Sequence, residues 1–135
     1  MYRHVLVPIA FDQDHPPDAA LKVAGEIAAQ GARVTLLHVM AEMPLYAISY
    51  MPEGYSDNLK GAIQAELSTL AKSFEQGRAV LAEGDPGRVI LTWAKDNDVD
   101  CIVIASHRPN FGDYLLGSTT TRVVRHALCS VHVLR

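Results

Sequence analysis

The chain is poor in cysteine, in long apolar runs and in basic charge, and each shortage removes a class of protein. Its two cysteines, Cys101 and Cys129, form no Cys-x-x-Cys pair. No His or Cys cluster has the spacing of a metal site, so a zinc module is not expected. Both thiols sit in apolar stretches and read as small buried hydrophobes, with a redox role as the alternative. No apolar run approaches the roughly 18–20 residues that span a bilayer. The opening Met-Tyr-Arg-His leads directly into a strand-like segment, without the apolar h-region of a secretion signal. No membrane insertion is expected, and the cytoplasm is the expected location. Twelve Lys and Arg against 15 Asp and Glu leave a net charge of −3, which argues against a nucleic-acid partner. A Gly-x4-Gly-Lys-[Ser/Thr] run is missing too, as is a recognisable base poised on a water, so efficient phosphate hydrolysis is not expected. Repeats, low-complexity tracts and linkers are absent. The length of 135 residues fits one domain, residues 1–135, with a real core.

What is present alternates between two periodicities. His4–Ile9 is a short continuous apolar run, as expected of a strand covered on both faces. Pro16 and Pro17 suit the start of a helix with apolar positions Ala20, Val23, Ala24, Ile27 and Ala28, and Gly31 fits the residue just beyond its end. Arg33–Val39 is the second strand. Residues 40–56 carry Pro44, Pro52, Tyr46, Tyr50 and Tyr55, and are too long and irregular for a plain connection. Leu59, Ile63, Leu67, Leu70 and Phe74 make the stripe of another helix, which Gly77 is expected to end. Arg78–Ala82 is the third strand, Glu83–Gly87 a turn cluster and Val89–Lys95 a short helix. Cys101–Ala105, Ser118–His126 and Val131–Leu134 follow as strand, helix and strand. Such alternation means right-handed βαβ units. The predicted fold class is α/β: a single doubly wound sandwich with a five-stranded parallel sheet and helices on both faces. Its ligand crevice belongs at the carboxyl ends of the strands, near the switch in strand order.

The chemistry gathers after the fourth strand. Ser106, His107 and Arg108 leave it, and Gly117, Ser118, Thr119 and Thr120 open the last helix. Backbone N–H groups and hydroxyls at a helix N-terminus make an anion site. A Gly-Ser step can equally be only a cap, since Ser is a favoured N-cap for any helix. Arg108 can pair a phosphate through charge-assisted hydrogen bonds, or be a surface residue before the Pro109 turn. His107 invites acid–base chemistry, but no nucleophile–carboxylate partnership surrounds it. Its backbone N–H is the better candidate for binding. The three tyrosines of 40–56 can form a lid on a base, a partner surface, or the packing of an ordered loop.

The run Ser106-His107-Arg108-Pro109 followed by Tyr114-Leu115-Leu116-Gly117-Ser118 resembles the carboxy-terminal half of the universal stress protein family, in its enterobacterial-type branch. Nucleotide-binding members carry Gly-x2-Gly-x9-Gly-[Ser/Thr] after the fourth strand. Gly117-Ser118 matches the end of that motif, while its first two glycines fall on Ala105 and on or next to Arg108. The opening Tyr2–Ile9 is similar to the family's first strand. The resemblance implies the strand order 3-2-1-4-5. It also implies an adenine-nucleotide site (ATP, ADP or AMP, with or without Mg) built from Pro8, Ile9, Ala10, Val39, Ala105, Ser106, His107, Arg108, Gly117, Ser118, Thr119 and Thr120. Val39 matches the position whose backbone meets the adenine. Ala10 stands where many relatives have an acid for the ribose, and Asp12 or Asp14 are the nearby substitutes.

Two functions follow from these features. One is a cytoplasmic ATP-binding stress-response regulator, homodimeric through strand 131–134, with at most slow ATP hydrolysis. The alternative is a nucleotide-free dimeric interaction module that contacts a client protein, such as a transporter or kinase, through residues 40–56. A response-regulator receiver is disfavoured, because the first strand ends Pro-Ile-Ala-Phe and lacks its acidic pair.

Overall fold

The computed structural model describes residues 1–11, 16–106 and 117–135. In chain order the elements are β1 (Tyr2–Pro8), α1 (Asp18–Ile27), β2 (Ala28–Met40), α2 (Leu45–Ile48), α3 (Tyr55–Ala71) and β3 (Gln76–Glu83). They continue with α4 (Pro86–Asp96), β4 (Cys101–Ala105), α5 (Ser118–His126) and β5 (Ser130–Leu134). All four strand pairings are parallel and the sheet order is β3-β2-β1-β4-β5, as the resemblance implies. The order reverses between β1 and β4, so their carboxyl ends diverge into a crevice.

Period-two alternation along the central strands explains why helices cover both faces. Val5 and Val7 of β1, with Val34 and Leu36 of β2, face one layer containing Ala20 and Ala24 of α1 and Leu67 and Ala71 of α3. Leu6, Leu37 and Ile102 face the other, against Ile90 and Ala94 of α4 and Val123 of α5. Leu6, Leu36, Leu37, Leu67 and Ile102 are fully buried. Burying each contributes roughly 1.5–3 kcal/mol, and together these side chains decide which face of each strand points where.

Several boundaries differ from the sequence expectation. The first helix stops at Ile27 and the chain enters β2 at Ala28. Gly31, with φ +76°, lies inside a bulge of β2, where the pairing jumps from Tyr2–Ala28 to His4–Arg33. Its positive φ serves that bulge rather than a helix end. The next helix ends at Ala71, and Gly77 belongs to β3, paired with Val34. A Cβ on Gly77 would lie 2.0 Å from the Ala71 carbonyl oxygen. The glycine is needed because the returning strand crosses the end of α3 at backbone contact. The turn cluster at 83–87 is the start of α4. Asp85 caps it by accepting from the Arg88 N–H at 3.2 Å, and Pro86 occupies its first turn, where a missing N–H costs nothing. Within residues 40–56 the chain forms the short helix α2. Leu45, Tyr46, Ile48 and Tyr50 are exposed there, so the tyrosines do not supply loop packing.

Cys101 is buried and Cys129 half-buried, and both are free thiols. Burial pushes the Cys101 thiol up to about 11 and also raises that of Cys129. Such thiols are poor nucleophiles.

Candidate functional site

The carboxyl ends of β1, β2 and β4 and the N-termini of α1, α4 and α5 enclose a cleft of about 270 Å³. Its lining includes Pro8, Ile9, Ala10, Val39, Ala105, Ser106, Gly117, Ser118, Thr119 and Thr120. Ten of the twelve residues singled out from the sequence therefore converge on one place. The other two, His107 and Arg108, lie outside the described residues, as do Asp12, Asp14 and the Leu115-Leu116 pair. The remaining lining residues were not singled out: Pro16, Pro17 and Ala20 at the start of α1, Leu37 and His38 of β2, Pro86 and Ile90 of α4, and Ile104.

The floor is apolar. Ile9, Ala20, Leu37, Ile90 and Ile104 are all buried and present a surface suited to the faces of a flat ring. The polar side lies at α5. Gly117 is its N-cap residue, in extended conformation (φ −60°, ψ 156°), and no side chain among the described residues caps the helix. Ser118 is thus the first helical residue rather than the cap, and its side chain is exposed. The N–H groups of that first turn carry the positive end of the helix dipole toward whatever occupies the cleft.

The hydroxyls of the two neighbouring polar residues are already committed. Thr120, 3% exposed, donates from Oγ1 to the Ala105 carbonyl at 2.9 Å, which ties the first turn of α5 to the end of β4. Ser106, 5% exposed, donates from Oγ to the Leu134 carbonyl at 2.9 Å, and its N–H reaches the same oxygen at 2.7 Å. The Ser106 carbonyl accepts from the Gly117 N–H at 3.3 Å. These side chains fix where the helix begins. Among the described residues, the hydroxyls of Ser118 and Thr119 form no such bond.

His38 is the one titratable side chain lining the cleft among the described residues. Its Nδ1–H donates to the Ile9 carbonyl at 2.6 Å, and Phe11 packs on the ring at a centroid distance of 5.0 Å. Because a carbonyl can only accept, Nδ1 carries the proton. Beside the cleft, the Asp85 carboxylate that caps α4 also pairs with the Arg122 guanidinium of α5. The Arg122 stem lies against Gly87, where a Cβ would come within 2.8 Å of it. This contact holds the starts of α4 and α5 side by side.

Among the described residues no cluster of His, Cys, Asp or Glu could hold a metal ion, and no carboxylate lines the cleft. Ala10, exposed at its rim, offers only its backbone. With an apolar floor and a helix start pointing in at one end, the arrangement can bind a molecule that is flat at one end and anionic at the other. Among these residues it contains no nucleophile paired with a base.

Comparison with known proteins places the chain among relatives of the same shape. The family model for the universal stress protein family matches residues 1–135. Universal stress protein YxiE of Bacillus subtilis is 30% identical over 132 residues, covering 87% of each chain. The structure of universal stress protein UspA from Lactobacillus plantarum superposes with a TM-score of 0.72 at 27% identity, covering 99% of this chain and 98% of that one. The universal stress protein from Archaeoglobus fulgidus, solved in complex with dAMP, shares the fold with a TM-score of 0.66 at 20% identity, over 99% and 98% of the two chains. The chain belongs to the universal stress protein family.

Proposed function

We propose that this chain binds an adenine nucleotide, ATP or its di- and monophosphates, in the cleft between β1 and β4. It acts as a cytoplasmic, nucleotide-dependent stress-response regulator with at most slow hydrolysis. The observation that carries this reading is the pairing of a buried apolar floor with the first turn of α5, which no described side chain caps, across one cleft. The base lies on Ile9, Ile90 and Ile104, with Val39 at its edge. The phosphates meet the N–H groups of residues 118–120 and the hydroxyls of Ser118 and Thr119, with His107 and Arg108, next in sequence after Ser106, as further contributors. Mg, when present, travels on the phosphates. The dAMP complex of the Archaeoglobus fulgidus relative supports the ligand class.

The proposed assembly is a homodimer through β5. It is an edge strand with half-buried Val131, Val133 and Leu134, and an open edge is closed by an antiparallel meeting with its copy. Val133→Asp should shift the protein toward monomer in analytical ultracentrifugation, and a wild-type monomer at high micromolar concentration refutes the assembly.

A second reading, a nucleotide-free interaction module, draws on a different observation. Leu45 and Tyr50 are each 87% exposed on the segment 40–56, and Ala10 supplies no acid for a ribose. Mass spectrometry of ligand released on denaturing the purified protein, followed by titration calorimetry with ATP and magnesium, separates the two. Saturable heat that Ser118→Ala weakens supports the nucleotide reading. No binding at millimolar ATP, ADP or AMP leaves the interaction module.

A further inference from the structure

The backbone of β2 alternates the side to which its polar groups point. Ile9 N–H donates to the Leu37 carbonyl at 2.8 Å on one side, and Gly84 N–H donates to the Met40 carbonyl at 2.9 Å on the other. Leu37 and Val39 therefore present their N–H and C=O toward β1, while His38 and Met40 present theirs toward β3. A parallel ladder carried one step further would bring the Val39 N–H to the Ile9 carbonyl. The pairing of β1 with β2 stops at Pro8–Leu37 instead. The Ile9 carbonyl is met by the His38 ring, at 2.6 Å from Nδ1, with Phe11 stacked obliquely behind it.

Resting on the nucleotide reading above, we infer that His38 is a positioning residue for adenine selection. By meeting the Ile9 carbonyl with a side chain, it ends the β1–β2 ladder and leaves the Val39 N–H and C=O as an open edge on the cleft wall. That edge offers one donor and one acceptor from a single residue. Adenine presents the complement, a ring-nitrogen acceptor beside an exocyclic amine donor. Hypoxanthine presents the reverse, a ring N–H beside a carbonyl. Two mismatched hydrogen bonds in a desolvated slot are the kind of contact that discriminates strongly.

The test compares ATP with inosine triphosphate on wild type, His38→Leu and His38→Asn by calorimetry, with hydrogen exchange at the Val39 amide read in the free proteins. Asparagine places an amide N–H where Nδ1–H stands; leucine places none. The wild type should prefer ATP over inosine triphosphate by roughly ten-fold or more, the equivalent of one hydrogen bond. His38→Leu should lose that preference and His38→Asn should recover most of it. In the free wild type the Val39 amide should exchange fast, and slow down in His38→Leu as the ladder extends. An unchanged preference in a folded His38→Leu overturns the inference while leaving the nucleotide reading intact. If His38→Leu does not fold, equal preference in His38→Asn and His38→Gln, whose amide sits one bond too far out, overturns it. A slow Val39 amide in the free wild type also overturns it, whatever ligand is found. Wild-type protein that binds neither nucleotide while its Val39 amide exchanges fast would remove the nucleotide reading and, with it, the adenine-selecting role.

Discussion

Thr120 and Ser118 are two residues apart at the start of α5, and the structure gives their hydroxyls opposite roles. The Thr120 hydroxyl is spent on the Ala105 carbonyl at 2.9 Å, whereas Ser118 is exposed with no bond from its side chain capping the helix. Thr120→Val keeps shape and volume but removes the donor. A neutral hydrogen bond nets about 1 kcal/mol, and water can reach the exposed Ala105, so the full penalty of an orphaned acceptor does not apply. At about 2.1 cal/mol/K per residue, unfolding a domain of 135 residues carries an entropy of roughly 0.28 kcal/mol/K, and 1 kcal/mol then lowers Tm by about 3–4 °C. Affinity for ATP should change by less than about two-fold, because the backbone N–H groups that meet the phosphates remain. Ser118→Ala should do the reverse. It should leave Tm within about 2 °C, since an exposed surface change is usually worth under about 0.5 kcal/mol, and weaken ATP by roughly ten-fold or more through the loss of one hydrogen bond to a charged group. Differential scanning calorimetry and titration calorimetry on the same preparations read both quantities. Thr120→Val weakening ATP ten-fold at unchanged Tm would refute the assignment of these two hydroxyls.

Gly77→Ala drives a Cβ to 2.0 Å from the Ala71 carbonyl oxygen, so backbone must shift. Overpacking of this kind costs about 3 kcal/mol or more, and thermal unfolding should show a Tm lower by about 10 °C; a drop under 3 °C counts against the contact. His4 is buried, with Nε2 at 2.8 Å from the Thr35 hydroxyl and Nδ1 at 3.0 Å from the Asn97 carbonyl, and burial, opposed in part by the Asn97 carbonyl, holds its pKa below the ordinary 6.5. The unfolded chain therefore takes up a proton that the folded one resists, so stability present above pH 6.5 is lost as pH falls below it. Denaturant midpoints at pH 7.5 and 5.5 should fall further in the wild type than in His4→Gln, and equal falls contradict the reading. Ala10→Asp adds an acceptor for ribose hydroxyls at the rim of the cleft. After desolvation and repulsion from the phosphates about 1 kcal/mol remains, a five-fold gain in ATP affinity, and equal or weaker binding in calorimetry would mean that the ribose is held elsewhere.

The parts of this molecule that could be read in advance are those where a local pattern has one three-dimensional meaning. Val5–Val7 and Ile102–Ile104 are apolar at every position, as a strand covered on both faces is, and the βα alternation then sets the sheet. Glycine and proline were harder to place. Gly31 and Gly77 follow helical stripes and look like helix ends, yet one serves a bulge and the other a backbone crossing, both created by chain brought from elsewhere. Asp85-Pro86 reads as a turn and caps a helix, because the same two residues suit either. In the cleft, Ile9 and Val39 are placed by the family resemblance and Gly117 by its position at the opening of the last helix. The destinations of the Ser106, Thr120 and His38 side chains follow from neither. His38 sits in an ordinary strand run, and its role depends on where β1 leaves its neighbour, a fact of packing that no local pattern carries.

The central claim is that the cleft at the switch point, rather than another surface, holds the nucleotide. Titrating the protein with ATP and magnesium while following backbone amide resonances tests it most directly. The account predicts saturable shifts confined to Ile9–Phe11, Val39, Ile90, Ile104–Arg108 and Gly117–Thr120. Shifts centred instead on the opposite end of the sheet, in the groove between Leu91 and Cys129, or no shifts at millimolar nucleotide, would contradict it.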